Sequence, residues 1–272
     1  MSEAATRGGP RRHRPGDPET YAVGEWPVLE ALRHRPQALR AVLLDTSLPL
    51  ERRARLQRAA ATAGIPCRED PRTVRALRHR SDARAVALLR AESDVLDASR
   101  DHLALVGTRA HGNLGMVLRT VLGFDLRDVA LVASPLDPWA PHVLRASQGA
   151  RFAVRVALFD DWEAYRTSFP QRPSLWFAPP GPDRTALSPR ALRLPRPATL
   201  AFGPEWPAPA AKPAPATCDE TAAAPQTAAA AADAASSALA HVSIPQHPDL
   251  ESHNLAVAVG IALYALRPAA AC

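Results

Sequence analysis

The apolar positions change period along the chain. EWPVLEALRHR puts Val28, Leu29 and Leu32 at helical spacing. LRAVLLD, residues 39–45, predicts a short strand. ERRARLQRAAATAG, residues 51–64, predicts a helix that stops at Gly64. IPCRE is extended again. Helix, strand, helix, strand over residues 21–80 predicts a compact α/β module. Residues 82–97 mix short apolar runs with acids and read either as a link or as more of the same sheet. From residue 102 the rhythm is clearer. HLALVGT, DVALVAS, FAVRVALF, SLWFAPP and ATLAFG read as buried strands, and NLGMVLRTVLGF, PHVLRASQGA and residues 160–166 as helices between them. Apolar strands alternating with helices predict a parallel sheet covered on both faces.

Residues 207–240 break that rhythm with an Ala/Pro-rich, low-complexity run. Recurrent prolines bar a regular helix from its first half. Its second half, 227–240, is compatible with an Ala-rich helix. HVSIPQ restores order, and SHNLAVAVGIALYAL, apolar nearly all round, predicts a buried helix.

Composition narrows the class. Hydrophobic residues make up 47 % of the 272, enough for a sizeable core in one large domain or two small ones. No apolar run is long and charge-free enough to span a bilayer. Residues 1–18 are polar and Arg-rich, with no apolar segment of the secretory kind, and read as a disordered tail. Cys67, Cys218 and Cys272 are scattered, which argues against a disulfide framework and a zinc site. A cytoplasmic protein without metal or membrane attachment is expected. The net charge of +6 is concentrated early: up to Asp97 there are 18 Arg against 13 acidic residues. A polyanion would meet that third of the chain first.

Four stretches carry chemistry when taken together. HGNLGMVLRT, residues 111–120, resembles the Asn-Leu-Gly-x-x-x-Arg-Thr motif of the SpoU (TrmH-like) branch of the SPOUT RNA methyltransferases. VLRASQGA, residues 143–150, is similar to that family's Arg-Ala-Ser-x-Gly-Ala helix. TLAFGPEW, residues 199–206, is similar to its strand ending in Phe-Gly-x-Glu. SIPQHPDLESHNLAVAVGIAL, residues 243–263, is similar to its Ile-Pro…Glu-Ser-x-Asn motif. Each is short and weak alone; the four in order form a specific signal over residues 100–266.

The resemblance implies transfer of a methyl group from S-adenosylmethionine to a ribose 2′-hydroxyl of RNA. Arg119, Asn113, Glu205, Ser252 and Asn254 match the family's catalytic positions. An Arg keeps its proton, so Arg119 would activate the hydroxyl electrostatically rather than as a base. Asn113 is also a candidate N-cap, and Gly112 and Gly115 permit close backbone approach. Phe202, Gly203, Ile244, His253 and Leu255 match cofactor-binding positions. His253 stands where the family usually has Leu, and Gln246 where Met is common. Both departures bear on adenine packing.

The implied architecture is a SPOUT α/β-knot, a parallel sheet with a deep trefoil knot, over residues 100–272, with residues 207–240 as an insertion. A small N-terminal α/β domain, residues 19–95, is similar to the ribosomal-protein-like RNA-binding domain that some members carry. The expected partners are ribosomal RNA, 23S in particular, and a second copy in a homodimer. A narrower expectation is resistance to a thiopeptide antibiotic through 23S methylation. The alternatives are a non-catalytic RNA-binding protein that keeps the fold, a transfer-RNA 2′-O-methyltransferase, and a base-modifying SPOUT enzyme.

Overall fold

The computed structural model describes residues 13–78, 81–178, 196–203, 239–247 and 249–266. The N-terminal elements are β1 (Glu19–Val23), α1 (Glu25–His34), β2 (Leu39–Leu44), α2 (Leu50–Thr62), β3 (Cys67–Glu69), α3 (Pro71–Leu77) and β4 (Ala85–Arg90). Then come β5 (His102–Val106), α4 (His111–Gly123), β6 (Asp128–Val132), α5 (Pro141–Ala146), α6 (Ala150–Ala153), β7 (Arg155–Phe159) and α7 (Trp162–Ser168). The last are β8 (Ser174–Phe177), β9 (Thr199–Phe202), β10 (Leu239–Val242) and α8 (Leu255–Leu266).

The chain divides into two compact units. The first comprises residues up to 93 with 114–119 and 137–153. Its four-stranded sheet runs β1-β4-β2-β3, with only the β2–β3 pair parallel. Residues 82–97 therefore do not merely link, because Ala85–Arg90 is an inner strand. β2 alternates between the sheet's two faces. Val42 and Leu44 join Val28, Leu32 and Leu56 on one, while Ala41 and Leu43 join Val74 and Leu77 on the other. Trp139 completes the first cluster, with its indole N–H donating to the Glu92 carbonyl at 2.8 Å. The 143–150 motif is not one helix. Gln148 and Gly149 both take positive φ, 50° and 86°, and split it into α5 and α6.

The second unit comprises 94–113, 120–136 and residues from 154 onward. Its six-stranded sheet, order β10-β8-β9-β5-β6-β7, is parallel throughout. Ala104, Ala130, Val132 and Ala201 pack on Tyr165 of α7 over one face. Small residues in adjacent strands let the α7 aromatic layer sit close. α8 departs from its sequence expectation. Leu255, Ala256, Val259, Ala262 and Leu263 are buried, but Val257, Ile261 and Tyr264 are exposed. An all-round apolar helix is thus buried on one side only.

Candidate functional site

The first residues of the central strands form a row across the sheet. Ser174 pairs in register with Thr199, Thr199 with His102, His102 with Asp128, and Asp128 with Arg155. The polar groups of this row hold one another. Arg155 donates to both Asp128 oxygens, at 2.7 and 2.6 Å, and the Asp97 N–H donates to Asp128 at 2.9 Å. Hydrogen bonding to Asp128 raises the Arg155 pKa above its ordinary value. His102 Nε2 lies 2.9 Å from the Asp97 carbonyl, which only accepts, so Nε2 carries the proton. Burial lowers the His102 pKa and favours the neutral ring. Its Nδ1 then accepts from the Tyr165 hydroxyl at 2.9 Å. Tyr165 in turn accepts from the Thr199 hydroxyl at 2.6 Å. Burial pushes the Tyr165 pKa up to about 12, so it stays a donor. The buried polar groups of this row are satisfied by one another, and a polar surface cleft of about 280 Å³ opens beside them among Arg100, Asp101, Asp125, Arg127 and Arg196.

The carboxyl ends are different. A cavity of about 80 Å³, open to solvent at its mouth, lies beyond β8 and β9 and the segment after β10. Phe177, Ala178, Phe202, Gly203, Ile244, Gln246, Ser252, His253, Leu255 and Ala258 line it. Phe177 and Phe202 face each other in register, rings 4.6 Å apart and 6° from parallel. A Cβ on Gly203 would stand 3.4 Å from the Trp176 ring, in ordinary contact. The Trp176 indole thus flanks Gly203. His253 Nε2 is buried and has no hydrogen-bond partner among the described residues. A buried nitrogen without a partner is costly unless a ligand or a water supplies one.

All five positions matched to cofactor binding, Phe202, Gly203, Ile244, His253 and Leu255, line this one cavity, as does Ser252. Asn254 caps α8: its Oδ1 accepts the Ala256 N–H at 3.0 Å. Its Nδ2 donates to Asn113 Oδ1 at 3.1 Å, joining segments 141 residues apart. Asn113 itself is not a cap, since Ala110 holds that position in α4. Gly115 is packed: a Cβ there would come within 2.4 Å of the Ala146 Cβ. Gly112 has open space instead. Arg119 is exposed, with no ion pair among the described residues. Glu205 lies outside the described residues, as does nearly all of the 207–240 insertion. Residues 239–240 of that insertion are instead the start of β10.

Sequence reasoning missed Phe177 and Ala258. SLWF shows only an apolar strand; its register against TLAF is what brings Phe177 into the cavity. Gln246, noted as a departure, has a visible task. Its Nε2 donates to the carbonyls of Leu250 at 2.6 Å and Glu251 at 3.2 Å, tying the loop that leads to Ser252. No cluster suited to a metal ion occurs among the described residues.

A cleft at the carboxyl ends of parallel strands is the place where open α/β sheets commonly take ligands. Residues 101–226 match the model of the SpoU rRNA Methylase family. The chain is similar to "rRNA methyltransferase 3, mitochondrial" of Mus musculus, 39 % identical over 62 residues, covering 23 % of this chain and 15 % of that protein. The human counterpart is 37 % identical over 62 residues, with the same coverage of 23 % and 15 %. The matched stretch thus spans about a seventh of these relatives' length. An AdoMet-bound rRNA methyltransferase from Sinorhizobium meliloti superposes with a TM-score of 0.65 at 19 % identity, over 92 % of this chain and 87 % of that one. A SpoU methyltransferase from Streptomyces viridochromogenes in complex with AdoMet gives 0.62 at 18 % identity, over 92 % and 88 %. These likenesses show the fold.

Proposed function

We propose that the protein is an S-adenosylmethionine-dependent methyltransferase that acts on the ribose 2′-hydroxyl of ribosomal RNA. The observation that carries this reading is the single cavity lined by Phe202, Gly203, Ile244, His253 and Leu255, drawn from three separate segments. The residues suit the cofactor. Phe202, Ile244 and Leu255 offer apolar walls to an adenine, and Gln246, Ser252 and the unpartnered His253 Nε2 offer polar groups to its periphery. When bound, S-adenosylmethionine would supply a methyl group from its sulfonium centre and would leave as the neutral thioether.

The chain's residues do the rest. The ribose oxygen gains a carbon and loses its proton to solvent. Arg119, exposed and without an ion pair among the described residues, binds the adjacent phosphate and favours the developing oxyanion. The Asn113–Asn254 bond fixes the start of α8, and with it Ser252 and His253, against α4. Alignment of donor and acceptor supplies much of the rate enhancement. Residues 19–95 act as the RNA-binding domain and 100–272 as the methyltransferase domain, whose chain is knotted. The exposed Val257, Ile261 and Tyr264 lie within about 60° of arc on α8 and suit a homodimer contact. A cytoplasmic enzyme acting on 23S RNA, with thiopeptide resistance as one physiological outcome, is the narrow form of the reading.

The test is labelling of total RNA with methyl-tritiated cofactor, followed by mapping of alkali-resistant linkages. Label in 2′-O-methylated ribosomal RNA is expected, with transfer nearly abolished in Arg119→Ala while calorimetry shows cofactor affinity preserved. Label on a base, or none despite cofactor binding, overturns the reading. RNA binding without heat from S-adenosylmethionine identifies a non-catalytic RNA binder instead.

A further inference from the structure

We infer that Trp26, backed by Arg55, is a stacking site for an unpaired base of single-stranded RNA. The choice of RNA rests on the methyltransferase reading; the position of the grip is new. Trp26 occupies the first turn of α1 and is 51 % exposed, although an indole gains from being covered. A lone exposed apolar side chain is ordinary. The surroundings of this one are not. The Arg55 guanidinium carbon lies 5.9 Å from the Trp26 ring centroid, within cation–π range. Arg52, Arg55 and Arg58 follow at three-residue spacing on α2, so they share about 120° of arc. Arg52 reaches Glu25 at 3.3 Å and holds α2 beside the helix that carries the indole. Arg53 turns elsewhere, toward Glu69 and the Thr46 carbonyl.

The face therefore offers one flat π surface edged by cations that are not consumed by buried pairs. Single-stranded nucleic acid takes that combination: a base stacks on the ring while the backbone follows the positive charge. Duplex RNA keeps its bases stacked inside and offers only phosphates and the shallow groove. An acidic peptide would use the arginines and has no need of an indole; an anionic lipid surface would use both, and the vesicle arm below separates it from RNA.

The test uses the full chain and two fluorescein-labelled probes, a ten-nucleotide oligouridylate and an RNA hairpin duplex, across a salt series. Trp26→Ala is expected to weaken oligouridylate binding about tenfold and leave the duplex unchanged, with Trp26→Phe retaining most of the affinity. Arg55→Gln should reduce the salt dependence by about one released counterion on both probes. Equal binding of oligouridylate by wild type and Trp26→Ala overturns the inference. So does an equal loss on the duplex, or binding to phosphatidylglycerol vesicles that depends on Trp26 while oligouridylate binding does not. Failure of the enzyme reading shows elsewhere, as absence of cofactor heat and of methyl transfer in a wild type that still distinguishes the two probes.

Discussion

The two ends of the six-stranded sheet use polar groups in opposite ways. At the amino ends, Thr199, His102, Asp128 and Arg155 stand side by side and are tied into networks by Tyr165 and Asp97. At the carboxyl ends the walls are aromatic and aliphatic, and His253 Nε2 is buried without a partner among the described residues. A satisfied network adds rigidity; an unsatisfied atom in a cleft is open to a ligand or a water. The same sheet thus separates stability from binding by about four residues of strand. Substitutions at the two ends should separate along the same line.

The largest effect is expected from Asp128→Ala. Its side chain is fully buried and accepts three hydrogen bonds, two of them from Arg155. Removing one member of a buried pair costs about 3–5 kcal/mol. Arg155 is one-third exposed, so water screens what is left and about 2–3 kcal/mol is the better figure. Thermal unfolding should move down by roughly 5–10 °C, while S-adenosylmethionine binding measured well below the transition stays at its wild-type value. A selective loss of cofactor affinity in Asp128→Ala would break the division between the ends.

Much of this division can be read in the sequence, though not all of it. The strands were legible because parallel sheets bury both faces and leave continuous apolar runs, as HLALV and DVALV show. The cavity residues were legible only through motif resemblance, since nothing in the spacing of Phe202, Ile244 and Leu255 says that they meet. Gly115 stood in a motif, and its Cβ position shows packing against Ala146 as a sufficient reason for it. Phe177 was invisible because it depends on the register of β8 against β9, a long-range property. The half-exposed α8 misled for a related reason. Periodicity reports which residues are apolar; it does not report which face finds a neighbour. The α5–α6 break was missed as well, because it rests on Gln148 and Gly149 sharing positive φ and not on any proline.

At the other end, His253→Leu sharpens the comparison because it should change binding without changing stability. If Nε2 meets a polar group of the cofactor, losing that hydrogen bond costs about 0.5–1.5 kcal/mol, or roughly two- to thirteenfold in affinity. The folded chain loses nothing, since leucine leaves no polar atom unsatisfied. Calorimetry with S-adenosylmethionine and thermal unfolding of the same samples read both quantities. Equal affinity together with lower stability would make His253 a core residue and not a ligand contact. Asn254→Ala lies between the two classes. It removes a helix cap and the bond to Asn113, for a loss of about 1 kcal/mol, and loosens the segment that lines the cavity. Both stability and cofactor affinity should fall, which neither end alone predicts.

The smallest effect is a pH dependence at the amino end. Burial lowers the His102 pKa most, opposed first by the hydrogen bond to the Asp97 carbonyl; Arg172 lowers it further, while Asp128 and Asp101 raise it. These causes partly cancel, so the net shift is downward and limited. The folded ring stays neutral at pH values where the unfolded ring, with a pKa of about 6.5, already takes up a proton. The unfolded state then binds more protons, and stability falls with falling pH. His102 thus contributes stability that is complete above about 6.5 and is lost as the pH drops from there through the folded value. Thermal unfolding between pH 8 and 5 should show this slope in the wild type and a shallower one in His102→Gln. Cofactor affinity in the same interval should be no different between the two, because the ring sits at the amino end of β5 and not at the cavity. An affinity that followed His102 would mean that the two ends of the sheet are coupled through the strands, and the separation drawn here would fail.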